Sequence, residues 1–321
     1  MDTINWGIIG CGDVAEVKSG PAFQKVKNSK LIAVMRRNAI KAKDFAKRHQ
    51  VPYWYTSVEE LLNNPEINAV YIATPPSSHL EIAKKCLTAQ KRVYLEKPIT
   101  LNFSEALELN KLINTNDQLV VAHYRRKLPA FLKVKQLIDN NVIGKILFAD
   151  LKILQSKKNT IIVKTATNWR LEPEISGGGY FHDIAPHQID LMYYYFGEIK
   201  KAIGFTDTTN KNKAANLVNG IIEFENGIQF RGIWNFNASE NTVKDECKIY
   251  GENGTITFSF YGEEITVSTI KKEEVFSFKN PVHIQQPMIE STVNYFLGKE
   301  KNPCSIENGV SVMKIMDLFT S

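Results

Sequence analysis

No part of this sequence is apolar for long enough to cross a membrane as a helix. A membrane-spanning helix needs roughly 18 apolar residues in succession, and no uninterrupted apolar run approaches that length. The sequence begins MDTINWGIIG, with an acid at its second position and no basic segment ahead of an apolar core, so we expect no signal peptide. Both absences favour a cytoplasmic protein without a membrane partner.

Cysteine is scarce in this sequence. The four cysteines lie far apart, without a CxxC pair and without a histidine at the spacing of zinc ligands: Cys11, Cys86, Cys247 and Cys304. We therefore expect reduced thiols, and neither a disulfide framework nor a metal site.

A basic block is also absent, although the formal net charge is +6. The charge comes mainly from scattered lysines, in short doublets such as Lys157 and Lys158. Basic tails that bind nucleic acids have a different pattern, so we expect no nucleic-acid partner, whereas a phosphate-bearing small molecule suits the charge. The length of 321 residues, 43% of them hydrophobic and 23% charged, indicates a globular protein of about two domains.

A glycine-rich turn lies near the amino terminus, in WGIIGCGDVAEV at residues 6–17. Gly10, Gly12 and Ala15 fit the pattern G-x-G-x-x-[G/A] between an apolar strand and a predicted helix. In dinucleotide-binding folds such glycines allow a tight turn and a close approach of the pyrophosphate to the helix N-terminus. Similar turns also occur where nothing binds, so the downstream pattern has to decide.

That pattern is an alternation of short strands and helices. Strands are predicted at Leu31–Met35, Ala69–Ile72, Arg92–Leu95 and Leu119–Ala122, and helices near Ala39–His49, His79–Ala89 and Phe103–Asn116. This alternation predicts a parallel sheet covered by helices on both faces, as in a Rossmann-type doubly wound nucleotide-binding domain.

The end of the second predicted strand indicates the dinucleotide. A carboxylate at this point would bind the adenosine ribose of NAD, but the sequence AVMRRNAIKAK has Arg36 and Arg37 there. Guanidinium groups pair with phosphate, so NADP is favoured and NAD is the alternative. The arginines could also be the solvated start of a helix.

Two further segments follow predicted strands, ATPPSSHLEIA at 73–83 and YLEKPIT at 94–100. Ligands bind at the carboxyl ends of strands in open α/β sheets. Lys97 lies between an acid and a proline at such a position, where its ammonium could point into a cleft or form a surface salt bridge with Glu96.

The segment GGGYFHDIAPHQID at 177–190 combines three glycines with ionisable residues. Asp183 and His187 are four positions apart and would share a helix face, where the carboxylate can orient an imidazole that exchanges a proton. Because proline is tolerated in the first helical turn, Pro186 predicts a helix that starts near Asp183 or Ile184, and Asp183 is then an alternative N-cap. Asp190 could bind a substrate hydroxyl or face solvent. The glycines could admit a ligand or form a flexible connection.

The second half of the sequence has a different pattern, beginning near Lys145. Apolar residues alternate with polar ones on both sides of Asn226-Gly227, which predicts a two-residue hairpin turn, and again after Asn253-Gly254. We therefore predict a meander of antiparallel strands. Its other face carries polar residues and gives little support for a subunit interface: Gln229, Arg231, Thr257 and Ser259.

Taken together, the glycine turn, ATPPSSH, EKP at 96–98, NWR at 168–170 and GGGYFHDIAPHQID resemble the Gfo/Idh/MocA family of NAD(P)-dependent oxidoreductases. The resemblance implies a dinucleotide-binding domain (1–123), then a substrate-binding and oligomerisation α/β domain with a largely antiparallel sheet (124–321). It implies hydride transfer on sugars, cyclitols or related diols by a homodimer or homotetramer. By the same resemblance Lys97 is the active-site lysine, and Asp183 and His187 are the acid and the histidine.

Two residues depart from the family pattern. Tyr124, in AHYRRKLP, stands where many relatives have asparagine, and Pro186 is unusual beside the histidine.

The predicted cofactor-binding residues are Gly10, Gly12, Asp13, Val14, Arg36, Arg37, Thr74, Pro75, His79, Glu96 and Lys97. The predicted substrate residues are Tyr124, Arg125, Trp169, Arg170 and Asp190.

Two other functions fit the same residues. An NAD-dependent glycosidase of this family would oxidise its substrate only transiently, and a dinucleotide-sensing regulator would bind the cofactor without turnover. A regulator need not keep Lys97, Asp183 and His187, so the oxidoreductase is the favoured hypothesis.

Overall fold

The computed structural model describes residues 2–12, 15–114, 118–158, 161, 168–208 and 213–321. The chain divides into two compact units. The first consists of Met1–Arg125 and Pro281–Val310, and the second of Arg126–Asn280 and Ser311–Ser321. The division predicted from the sequence has one boundary, after residue 123, and does not include the return of 281–310 to the first unit. The substrate-binding and oligomerisation roles of the second part stay predictions.

The first unit contains a six-stranded, all-parallel sheet of order β3-β2-β1-β4-β5-β6. Its strands are β1 (Ile4–Ile9), β2 (Ser29–Met35), β3 (Tyr53–Tyr55), β4 (Ala69–Ile72), β5 (Arg92–Leu95) and β6 (Leu119–Val121). The parallel sheet and four predicted strands are confirmed, and β3, which the sequence analysis did not locate, forms one edge.

Helices connect these strands. A π-helical turn, Ala15–Ser19, leads into α1 (Gly20–Phe23), followed by α2 (Ala39–Arg48), α3 (Val58–Leu62), α4 (His79–Thr88) and α5 (Phe103–Leu112). Asn38 and Asn102 cap α2 and α5, because their side-chain oxygens accept backbone N–H groups from the first helical turn. The predicted helices are confirmed, each ending one to four residues earlier than expected.

The second unit has an eight-stranded sheet of order β14-β13-β12-β11-β7-β10-β9-β8. Neighbouring strands are antiparallel except β7 and β10, which confirms the predicted largely antiparallel sheet. The strands are β7 (Ile146–Leu154), β8 (Ile199–Thr206), β9 (Leu217–Phe224), β10 (Gln229–Asn235), β11 (Lys244–Gly251), β12 (Gly254–Phe258), β13 (Glu264–Thr269) and β14 (Glu273–Ser277). The helices α6 (Pro129–Asp139), α7 (Pro173–Ser176) and α8 (Tyr180–Phe196) belong to the same unit.

The hairpin at Asn226-Gly227 corrects one prediction. The N–H of Phe224 donates to the carbonyl of Ile228, so three residues and not two lie between this bonded pair. Gly227 has φ +82°, which fits the left-handed position that closes a three-residue hairpin loop. At the second Asn-Gly, Gly251 pairs directly with Gly254, which is a two-residue connection.

The last two helices complete both units. Helix α9 (Gln286–Phe296) belongs to the first unit, and α10 (Ile306–Thr320) begins in the first unit and ends in the second. In the second unit the ring of Phe319 lies against Gly204 and Gly220, where any β-carbon would clash with it. Among the described residues, no helix combines the length and the apolar character required to span a bilayer.

Candidate active site

Several predicted site residues meet at one edge of the parallel sheet. Ile9, Met35, Ile72 and Leu95 end β1, β2, β4 and β5 in register with their neighbours. The residues that follow these strand ends are Gly10, Arg36, Ala73 and Glu96. The strand order reverses between β1 and β4, and ligands of open α/β sheets bind beside such a switch point.

The glycine turn has the geometry that a dinucleotide needs. Gly10 has φ +93°, and a β-carbon there would lie 2.9 Å from the backbone of Ala73, so only glycine fits. At Gly12 an added β-carbon would meet no described atom within 4 Å, so protein packing does not explain that glycine. Open space beside the backbone suits the close approach of a pyrophosphate. Asp13 and Val14, also predicted to bind the cofactor, lie outside the described residues.

The arginines after β2 lie beside the glycine turn. Nη1 of Arg36 donates to the carbonyl oxygen of Cys11 at 3.2 Å, which holds the guanidinium against the turn. Arg37 is exposed, and the helix start is capped by Asn38. Arg37 therefore fits the alternative of a solvated helix start, whereas Arg36 touches the backbone that a dinucleotide would approach.

His79 is placed as a bridge between two loops. The ring is fully buried, with Nε2 2.8 Å from the carbonyl oxygen of Thr74 and Nδ1 2.9 Å from that of Pro98. Burial lowers the pKa of His79 to about 4, against the opposing effect of these carbonyls. Both ring nitrogens face carbonyl oxygens of the protein, so direct cofactor binding by His79, as predicted, is not what this geometry supports. Thr74 and Pro75 are part-exposed on the same loop.

Glu96 is also turned inward. Its carboxylate accepts hydrogen bonds from Tyr71 at 2.6 Å and Gln285 at 2.7 Å, and the residue is only 7% exposed. It is therefore not part of a surface salt bridge, and its predicted contact with the cofactor is not supported by its position. Lys97, the next residue, is half-buried and precedes a cis peptide bond to Pro98.

Helix α8 starts earlier than predicted. It begins at Tyr180, so Pro186 lies in the helix interior and Asp183 lies inside the first turns instead of capping them. The N-cap position is taken by Gly179, and Asp183 donates its own N–H to the Gly179 carbonyl at 3.3 Å. The alternative role of Asp183 as an N-cap is wrong, which leaves its carboxylate available for side-chain contacts. An acid near a helix N-terminus is also favourable electrostatically.

The three glycines before α8 form a shaped connection. Gly177, Gly178 and Gly179 have φ values of +90°, +158° and +85°, a backbone path that other residues rarely adopt. A β-carbon at Gly178 would clash with the ring of His182. The glycines therefore seat the chain against the helix that follows, and the expectation of a merely flexible connection does not describe them.

Asp183 is held by Arg170. Nε of Arg170 lies 2.9 Å from Oδ2 of Asp183, and the guanidinium also stacks over the ring of Trp169 with 4.6 Å between their centres. Nη1 of Arg170 is buried, and no described atom accepts a hydrogen bond from it. The NWR segment is a short 3₁₀ helix, Trp169–Leu171, so the structure brings this motif and the acid of α8 together.

His187 lies one turn after Asp183 on α8 and is 6% exposed. His182, which the sequence analysis left out of the catalytic set, is buried on the Gly178 backbone, and burial lowers its pKa to about 4.

The position of Asp190 corrects a prediction. It is 1% exposed and accepts hydrogen bonds from Nε and Nη2 of Arg126, so it neither faces solvent nor is open to a substrate hydroxyl.

Tyr124 and Arg125 lie at the end of the first unit. Both are buried, and the guanidinium of Arg125 lies 5.5 Å from the centre of the Tyr124 ring. Their predicted contact with substrate stays a prediction.

Sequence reasoning missed Tyr71, Gln285 and Arg126, because each is defined by a partner distant in the sequence. For Arg126, the one available signal in the sequence was an acid, Asp190, about one turn after His187.

Comparison with known proteins agrees with this geometry. Residues 4–124 match the profile of the oxidoreductase family with an NAD-binding Rossmann fold, and residues 131–257 match the GFO/IDH/MocA C-terminal domain. The chain is 56% identical to Oxidoreductase P35 of Formosa agariphila over 318 residues, 98% of each chain. It belongs to the Gfo/Idh/MocA family of oxidoreductases. It is thus an oxidoreductase with the NAD-binding Rossmann fold of that family.

Two other similar proteins illustrate the range of similarity. The chain is 31% identical to the trans-1,2-dihydrobenzene-1,2-diol dehydrogenase of Danio rerio, over 60% of this chain and 56% of that protein. The structure of a levoglucosan dehydrogenase in complex with NADH and L-sorbose superposes with a TM-score of 0.87 at 21% identity, covering 99% of this chain and 96% of the other. At that identity the structural likeness concerns the fold.

Proposed function

We propose that this oxidoreductase prefers NADP and moves a hydride between the nicotinamide and a sugar, cyclitol or related diol or keto-sugar. The observation that carries the proposal is the sheet edge where the glycine turn, Arg36 and the Lys97 turn follow adjacent strand ends in register. Support for a polyhydroxylated substrate comes from relatives named for a diol and for levoglucosan.

The residues divide the chemistry as follows. Oxidising a secondary alcohol to a ketone transfers its hydride to the cofactor and releases its hydroxyl proton, so a base must accept that proton. His187 accepts the proton, or donates it in the reverse direction, and Asp183 assists as its acidic partner on α8. Lys97 stabilises negative charge on the reacting oxygen with its ammonium. Trp169 and Arg170 contribute to substrate binding through the stacked pair described above.

The preference for NADP depends on Arg36. No acid follows β2 to bind the adenosine ribose, and Arg36 is held at the turn by its bond to Cys11. A guanidinium at that position pairs with a 2′-phosphate. Replacement of Arg36 by alanine should weaken NADPH binding by about tenfold, or about 1.4 kcal/mol, and leave NADH binding nearly unchanged.

A fluorescence titration with NADPH and NADH, followed by a panel of polyols and keto-sugars, tests this function. Wild-type protein should bind NADPH more tightly and turn over a member of the panel, and His187→Asn should bind cofactor but lose turnover. Tighter binding of NADH would contradict the NADP preference. Undiminished turnover in His187→Asn would contradict its role, and product formation without net absorbance change would indicate the glycosidase.

We also propose that the protein is a cytoplasmic homo-oligomer, a dimer or tetramer. Support comes from the face of the second sheet opposite the helices, where Phe205 is 67% exposed beside exposed Ile203 and Ile221. On the same face Phe148 stacks on Tyr250 at 4.3 Å. A second copy of the chain would cover these side chains. Phe205→Glu should lower the mass measured by light scattering, and an unchanged mass would contradict the proposal. The four buried free cysteines agree with a reducing compartment.

A further inference from the structure

Glu96 is a carboxylate in the interior of the first unit. Its Oε1 accepts one hydrogen bond from the Tyr71 hydroxyl and a second from Nε2 of Gln285. Burial, together with the charge of Glu96, raises the pKa of Tyr71 well above its ordinary value, so its hydroxyl remains a donor. Hydrogen bonds to an ionised group are about twice as strong as neutral ones, so these two donors fix the carboxylate.

Gln285 comes from a distant part of the sequence. It occupies the N-cap position of α9, in the segment 281–310 that returns to the first unit, and it is 1% exposed. Its Oε1 accepts a hydrogen bond from Tyr94 at 3.3 Å, while its Nε2 donates to Glu96. The side chain therefore ties the end of β5 to the start of α9 through both ends of its amide.

The second oxygen of Glu96 serves the next residue. The backbone N–H of Lys97 donates to Oε2 of Glu96 at 3.2 Å. The N–H of Glu96 still bonds to Ile72 of β4, so Lys97 is the first residue whose backbone donor is satisfied by a side chain instead of the sheet. The position of this carboxylate therefore sets the position of the Lys97 backbone.

We infer that Gln285 is a positioning residue for Lys97, which it orients through the Glu96 carboxylate that it shares with Tyr71. The inference depends on the proposed role of Lys97 in hydride transfer. Gln285 touches neither substrate nor cofactor in this role. It limits the movement of the turn that carries the ammonium, so the lysine meets the reacting oxygen without first having to be ordered.

Gln285→Met tests the inference because it removes both amide contacts and keeps the length of the side chain. Gln286→Met is the matched control, one residue further along. With the substrate found in the panel, we expect kcat of Gln285→Met to fall about 10- to 100-fold while the dissociation constant for NADPH stays close to that of wild type. The control should retain wild-type kcat. Wild-type kcat in a folded Gln285→Met variant overturns the inference.

A measurement on Lys97 itself needs no substrate. Lysine amines are tagged by reductive ¹³C-methylation, and the Lys97 signal is assigned by its loss in Lys97→Arg. We expect this signal to move in Gln285→Met and to coincide with that of wild type in Gln286→Met. A coincident signal in both variants overturns the inference. If Gln285→Met does not fold, Tyr71→Phe replaces it, because it removes the other donor to the same oxygen with the same expected outcomes.

A double-mutant cycle separates this route from a general loss of structure. If Gln285 acts through Glu96, adding Gln285→Met to Glu96→Gln should lower kcat no further. A further decrease equal to that of Gln285→Met alone contradicts the inference. Lys97→Met distinguishes the two proposals. Turnover in Lys97→Met refutes the catalytic lysine, whereas an inactive Lys97→Met beside a fully active Gln285→Met refutes only the role of Gln285.

Discussion

The turn at Lys97 in the first unit and helix α8 in the second satisfy their polar groups in different ways. On both sides of Lys97 the polar atoms are bound within the unit, Glu96 by Tyr71 and Gln285, and the Pro98 carbonyl by His79. On α8 the two acids differ. The Asp190 side chain is 1% exposed in its pair with Arg126, while that of Asp183 is 22% exposed in its pair with Arg170.

This difference shows that one sequence motif can contain both buried residues, which are bound within their own unit, and residues that keep part of their surface. Glu96, His79 and Asp190 belong to motifs that indicate chemistry, but each is buried and engaged with its own unit. Lys97 and Asp183 keep part of their surface. Among these five residues, exposure therefore separates those that hold the turn and the helix from those proposed to take part in the chemistry, whereas His187, at 6% exposure, shows that burial alone does not exclude a catalytic role.

The largest effect is expected at Lys97, on the turn of the first unit. Lys97→Met should lower kcat by at least about 10³-fold, because the charge that develops on oxygen loses its cation. NADPH binding, followed by fluorescence, should persist. Lys30→Met, at an exposed position of the first unit, is the control. Turnover comparable with that of the control would contradict the catalytic role of the Lys97 ammonium.

The buried ion pair between Arg126 and Asp190 of α8 should matter for stability. Arg126→Met leaves Asp190 buried without its partner, so the free energy of unfolding in urea should fall by about 3–5 kcal/mol. Adding Asp190→Leu should restore much of that loss, because neither charge of this pair then remains. A stable Arg126→Met protein would contradict the structural role of this pair.

Acid should destabilise the protein through His182. Burial lowers its pKa from 6.5 to about 4 in the folded state, so the unfolded chain binds the proton first. Its contribution is complete above pH 6.5 and is lost as the pH falls towards 4, by about 3 kcal/mol in total. His182→Asn should lessen the decline of unfolding free energy between these pH values without abolishing it, because His79 has a similarly lowered pKa. An unchanged decline would mean that other groups cause it.

The shallow ion pair should affect activity more than stability. In Arg170→Met, water can solvate the part-exposed Asp183, so the loss of stability should be smaller than in Arg126→Met. We expect kcat/KM to fall about 10- to 100-fold, or about 1.4–2.8 kcal/mol. Arg170→Lys, which keeps the charge but not the planar stack on Trp169, should recover only part of this. Equal stability losses in the two arginine variants would remove the distinction between the pairs.

Most of the fold could be predicted from local patterns. The β-rich runs that became β2, β4, β5 and β6, and the glycine turn after β1, carry their signals within about ten residues. The return of 281–310 could not be predicted, because its packing against β5 and β6 joins residues nearly two hundred positions apart. Nothing near Gln285 in the sequence indicates that its partner is Glu96.

The start of α8 shows another limit. Pro186 normally marks a first turn, but the glycines place the chain so that the helix begins three to four residues earlier than predicted. The glycine backbone packs against the ring of His182 and, from a distant part of the sequence, against Ala214, and a local rule for proline does not include this packing. The spacing of Asp183 and His187 predicted that they share a helix face. Their assignment as the acid and the histidine of the family came from the resemblance, and their roles stay predictions.

The division of the chain also has a consequence for its synthesis. A ribosome releases amino-terminal domains first, and these usually fold as they emerge. Here the first unit lacks 281–310 until residues 126–280 have also been made. At about 5–20 residues per second the unfinished parallel sheet waits roughly 10 to 40 s for α9. During that interval the newborn chain exposes apolar surface that chaperones recognise.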